Sequence, residues 1–180
     1  MRLVLGVEGA GSSWTRDRNC DIVAYDRTRI LLPFVGGEDE YVNASLIWEP
    51  SIGVASLPRY PWIAAQAPVP STLHAFLSLL LVSPTSPAST TPLPPPSLII
   101  QLTPLVEGSR QKCHPYFPHA VGETLGVPGP RGEKGVWVRL VGKEKKDGRR
   151  TSQLLVGWDG EPLGRQVTHG TIPSSRAYQS

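Results

Sequence analysis

The chain has 180 residues, enough for one domain or part of a larger one, and 39% of them are hydrophobic, which allows a buried core. A net charge of +3 permits an acidic or phosphorylated partner but falls well short of the basic balance that nucleic-acid binding needs. Two cysteines, Cys20 and Cys113, exclude a disulfide framework and suit a reducing compartment, the cytoplasm.

The N-terminal run "MRLVLGVEGAG" is too short for a secretory signal. The apolar run "HAFLSLLLV" has about half of the roughly 20 residues a membrane span requires. A soluble protein without membrane attachment is expected.

Residues 16–30, "RDRNCDIVAYDRTRI", set four arginines and three aspartates around a short apolar run. They suit either a solvated loop entering an edge strand or a platform for an anionic ligand. Residues 21–32 alternate loosely up to Pro33 and predict a strand. In "EYVNASLIW" (40–48) Asn43 shares one side with Tyr41, Ser45 and Ile47. An inward amide needs partners, so Asn43 is expected to tether a neighbouring loop. "PWIAAQAP" (61–68) reads as a short buried strand ending in a turn.

"STLHAFLSLLLV" (71–82) offers a Ser or Thr cap and then Leu73, Phe76, Leu77, Leu80 and Leu81 at helical spacing, the clearest helix in the chain. Residues 83–97, "SPTSPASTTPLPPPS", predict a disordered or polyproline-like surface insert, with docking to an SH3-type domain as its functional alternative. "SLIIQLTPL" (97–105) has the apolar run of a central strand. "GVPGPRGEKG" (126–135) has three collagen-like triplets, too few for a triple helix, and predicts a flexible loop. "GVWVRLVG" and "TSQLLVGW" flank "KEKKDGRR", which predicts a β-hairpin turning at Asp147-Gly148 with a basic, solvated tip. Strands interleaved with one helix predict an α/β (α+β) domain: a twisted mixed sheet, a flanking helix and a Pro-rich loop insertion.

Four stretches in series, "DIVAYDRTRI", "DEYVNASLI", "WIAAQAPVPSTLHAF" and "LVEGSRQKCHPYFP", resemble the N-terminal half of a protein-tyrosine phosphatase catalytic domain. That family writes them roughly NRYxDIxPYDxTRV, DYINASYI, YIATQGPLxxTxxDFW and ExGxxKCxxYWP. The match covers residues 16–118. It continues more faintly to residue 169 through the hairpin and "GRQVTH". The resemblance implies an N-terminal extension at 1–15, a partial phosphatase domain at 16–169 and a divergent tail at 170–180. The Pro-rich insertion suits a fungal member.

The resemblance implies hydrolysis of phosphotyrosine proteins, without cofactor, through a cysteinyl phosphate. The family's nucleophile sits in H-C-x-x-x-x-x-R at a helix N-terminus, and an Asp of a mobile Trp-Pro-Asp loop protonates the leaving phenol. Six positions after Cys20 stands Asp26, and six after Cys113 stands His119. After His169 the chain reads "GTIPSSRAYQS", without Trp-Pro-Asp. No catalytic residue is therefore assigned, and the sequence reads as a truncated gene model. A chain without turnover is expected, with a non-catalytic pseudophosphatase or interaction module as the alternative. An unrelated α/β domain with chance matches is a third reading.

By the same resemblance Asp21 keeps the Asp that holds the substrate backbone, while Asn19 replaces the Tyr that stacks on the phosphotyrosine ring. That exchange loses on the order of 1 kcal/mol of ring contact. Glu107 and Lys112 keep the spacing of groups that brace the phosphate-binding Arg and the acid loop. Asn43 and Gln66 belong to the structural motifs. Ala67 stands where the family has Gly, which matters only if that position needs a positive φ. Cys113 matches a family cysteine that is not the nucleophile and reads as a core residue. Cys113, His114 and His119 lack a fourth ligand in sequence reach, so no metal is assigned.

Overall fold

The computed structural model describes residues 1–5, 24–33, 42–49, 60–102, 104–107 and 109–171. Their main element is an eight-stranded mixed sheet. In chain order its strands are β1 (Arg2–Leu5), β2 (Ala44–Trp48), β3 (Pro61–Ala65), β4 (Leu98–Gln101), β7 (Thr124–Val127), β8 (Val136–Lys146), β9 (Arg149–Trp158) and β10 (Arg165–Thr171). β5 (Val106–Glu107) and β6 (Arg110–Gln111) form a separate small hairpin. The spatial order is β2-β3-β1-β4-β10-β9-β8-β7.

The centre is parallel. β1 pairs with β3 on one side and β4 on the other, with Leu3 opposite Ile63 and Ile99. All three side chains are fully buried, as a parallel strand covered on both faces requires. The sequence reading assigned no element to residues 2–5. β10 continues the parallel set beside β4, and the remaining pairs are antiparallel.

The hairpin expected at Asp147-Gly148 forms between β8 and β9. Asp147 has φ 50° and Gly148 φ 74°, the two positive values that a two-residue turn needs to follow the strands' twist. Trp137 explains a glycine of β9. It lies opposite Gly157, where an added Cβ would meet the indole at 2.5 Å, and its Nε1–H donates to the Trp158 carbonyl at 3.0 Å.

Residues 21–32 differ from the strand expectation. Residues 26–28 turn, with Thr28 and Arg29 N–H both donating to the Tyr25 carbonyl. Beyond the turn only isolated bridges join Arg29 to Ser45 and Leu31 to Thr85, and residues 21–23 lie outside the described residues. The helix α1 (Leu73–Ser78) is also shorter than predicted. A 3-10 turn precedes it, and the Thr72 hydroxyl bonds Val69 rather than capping the helix. Every residue of α1 is buried, so it has no polar stripe.

The Pro-rich insert is held against the body. Leu31 and Thr85 exchange both backbone hydrogen bonds, and Leu93 joins the core at 4% exposure. The Arg165 guanidinium donates to the carbonyls of Leu80 (3.0 Å), Pro95 (2.8 Å) and Pro96. One side chain from β10 thus supplies donors to three carbonyls. Part of the stretch expected to be a flexible loop forms β7, with Val127 buried.

Candidate functional site

Asn43, immediately before β2, joins three segments. Its Oδ1 accepts the Ala24 N–H at 3.1 Å and its Nδ2–H donates to Gln66 Oε1 at 3.3 Å. Its carbonyl accepts the Gln66 N–H at 2.9 Å. The amide fixes the chain three residues beyond Asp21 against the end of β3. Asn19 and Asp21 themselves lie outside the described residues.

The turn after β3 carries Ala67, which is buried. Asp147 is the only non-glycine with positive φ among the described residues, so Ala67 needs no glycine-like backbone. His114 N–H donates to the Pro68 carbonyl at 3.2 Å, which sets the "KCHPYFP" segment against this turn.

The small hairpin positions Glu107 by backbone pairing with Arg110, while the Glu107 side chain lies outside what is described. Lys112 and Cys113 N–H groups both donate to the Leu105 carbonyl, and Lys112 is half-buried. Cys113 is fully buried, and its S–H donates to the His114 carbonyl at 3.3 Å. A thiol so enclosed has no route to a substrate. Among the described residues no three His, Cys, Asp or Glu side chains converge on a metal position.

Beneath this surface lies a polar cluster that the sequence reading missed. Tyr116 is fully buried, and its hydroxyl donates to Gln101 Oε1 at 3.0 Å. His169 Nε2 lies 3.1 Å from the same oxygen. The Tyr116 ring meets Phe76 edge-on at 5.1 Å, Phe117 at 5.1 Å and His169 at 5.7 Å. Burial raises the Tyr116 hydroxyl well above the usual tyrosine range, with a smaller push from Cys113. Burial also lowers the His169 imidazole to about 4. The signal was present: Gln101 is the one polar side chain in "LIIQ", and a buried amide needs partners. The cluster locks the ends of β4 and β10 to the segment carrying Lys112 and Cys113.

Comparisons with known proteins agree with the sequence motifs. A family model described as protein-tyrosine phosphatase matches residues 14–173. Tyrosine-protein phosphatase 1 of Saccharomyces cerevisiae is 33% identical over 127 residues, which cover 70% of this chain and 35% of that protein. Tyrosine-protein phosphatase 2 of Schizosaccharomyces pombe is 32% identical over 114 residues, 63% of this chain and 14% of the relative. Human tyrosine-protein phosphatase non-receptor type 4 is 30% identical over 110 residues, 61% of this chain and 10% of the relative. The chain spans about a third of the budding-yeast relative and a smaller share of the other two.

Proposed function

The chain belongs to the protein-tyrosine phosphatase family, and on that premise we propose that these 180 residues form the substrate-facing, non-catalytic part of a domain acting on phosphotyrosine proteins. The observation that carries the reading is the state of Cys113. It is buried, its S–H is spent on the His114 carbonyl, and six positions on stands His119 rather than an arginine. Cys20 is followed at the same distance by Asp26. No residue of this stretch supplies the nucleophile together with its phosphate clamp.

In this reading Asp21 holds the peptide backbone and Asn19 stands where an aromatic reader would stack. The Asn43–Gln66 pair supports both through Ala24. Glu107 and Lys112 keep the family's spacing without a phosphate-binding arginine to brace. The cytoplasm is the compartment we propose, on the low cysteine content. No helix among the described residues is long and apolar enough to cross a membrane. The Pro-rich insert is a weak candidate for SH3-type contact, because Leu93 and Pro96 are buried in the body.

The test is turnover of p-nitrophenyl phosphate by the 180-residue chain beside a Cys113→Ser variant. Equal, background-level rates are expected. Turnover by the parent chain that the variant lacks would overturn the reading.

A further inference from the structure

The β8–β9 hairpin ends in the run "KEKKDGRR", which carries five cations against two acids. Directly opposite residues at its tip are Lys145 and Arg150, then Lys146 and Arg149. Like charges placed across an antiparallel pair repel and weaken the hairpin. All four side chains are exposed, and none makes an ion pair with another described residue.

The register sorts the tip into two faces. Lys143, Lys145, Arg150 and Ser152 share one, and Glu144, Lys146, Arg149 and Thr151 the other. The register shift between Leu140 and Gly142, which leaves Val141 exposed, sets this parity. The first face has no acid of its own. It continues from the buried side of the sheet, where Ser152 lies opposite buried His169, and it emerges where that interior ends. Lys143 Nζ is already tied to the His119 carbonyl. Glu123, the acid of the loop that carries His119, accepts the Ala120 N–H. Lys145 and Arg150 are left side by side facing outward.

We propose that this Lys145–Arg150 face docks an acidic segment of a partner protein, whose carboxylates lie between the two opposed cations. The tip between Lys143 and Arg150 has no aromatic residue on which a base could stack, and the chain's net charge is only +3. Those facts favour an acidic polypeptide over nucleic acid. The proposal does not depend on the phosphatase reading, since no residue of the phosphotyrosine-facing segments takes part.

The test uses the full 180-residue chain, a fluorescent peptide of alternating glutamate and glycine, and a DNA duplex of matched charge. The peptide should bind with an affinity that falls about tenfold or more between about 50 mM and about 300 mM salt. Lys145→Glu separates docking from mere solvation. It turns a repelling pair into an attractive one, so the melting temperature should rise by about a degree or two while peptide affinity falls about fivefold or more. The charge-matched Arg139→Glu, on an exposed site of β8 away from the tip, should change affinity less than about twofold. Absence of peptide binding by the parent chain would overturn the proposal. Equal losses in the two variants, or tighter binding of the duplex than of the peptide, would do so as well.

Discussion

His169 and Gln101 form a hydrogen bond with one possible direction. The Gln101 side-chain oxygen can only accept, and it already receives the Tyr116 hydroxyl at 3.0 Å. His169 at 3.1 Å must therefore donate its Nε2–H. One amide oxygen holds a histidine of β10 and a tyrosine of the segment after β6 to the end of β4.

The pH dependence of stability follows from that burial. The imidazole is lowered from the ordinary 6.5 to about 4, because burial disfavours its charged form. The unfolded chain binds this proton below about pH 6.5 and the folded chain only below about 4. Stability from this group is complete above the unfolded value and falls as pH drops through the window between the two. A loss on the order of 3 kcal/mol is expected across that window. Urea melts at stepped pH should show it, and His169→Gln should flatten the slope. An unchanged slope in the variant would assign the acid sensitivity to other groups.

Arg165 holds the Pro-rich insert by the carbonyls of Pro95 and Pro96 and ties it to the Leu80 carbonyl just after α1. Lysine has no planar fork and cannot reach all three. Arg165→Lys should cost roughly 2 kcal/mol, the scale of charge-assisted hydrogen bonds lost with their acceptors left behind. The sharper readout is limited proteolysis. Cleavage within residues 83–97 should accelerate in the variant, while the β8–β9 hairpin stays as resistant as in the parent chain. Equal cleavage rates within the insert would mean that Leu93 and the Leu31–Thr85 bridge hold it alone.

Legibility in the sequence followed the range of the contacts. The β8–β9 hairpin was readable because its turn and its alternation are both local, set by Asp147-Gly148 and the strands beside it. The tether at Asn43 was readable because an inward amide must find partners. β1 was not. Its four residues gain their place from pairing with β3 and β4, far along the chain, and a run that short has no periodicity of its own. The order in the insert was hidden for a similar reason. Composition predicts no regular element there, correctly, but the carbonyls of Pro95 and Pro96 are bound by a side chain about 70 positions on. Of the candidate site, the family motifs exposed Asn43 and Gln66. They passed over Gln101, Tyr116 and His169, whose meeting depends on the β4–β10 pairing.

Asn43 gives the most direct test of how the substrate-facing segment is held. Its amide uses both ends, accepting from Ala24 and donating to Gln66. Asn43→Asp keeps the acceptor and loses the donor, and it places a carboxylate against the Gln66 oxygen. Asn43→Ala loses both bonds and leaves the Ala24 N–H and Gln66 Oε1 without this partner. Each change should cost about 1–3 kcal/mol in a thermal or urea melt. Their hydrogen-exchange patterns should differ. In Asn43→Ala the Ala24 amide should lose protection, while in Asn43→Asp it should keep it, because the Oδ1 acceptor remains. Equal exchange at Ala24 in both variants would show that the segment beyond Asp21 is positioned by the backbone bonds of Thr28 and Ile30 to β2, not by the Asn43 side chain.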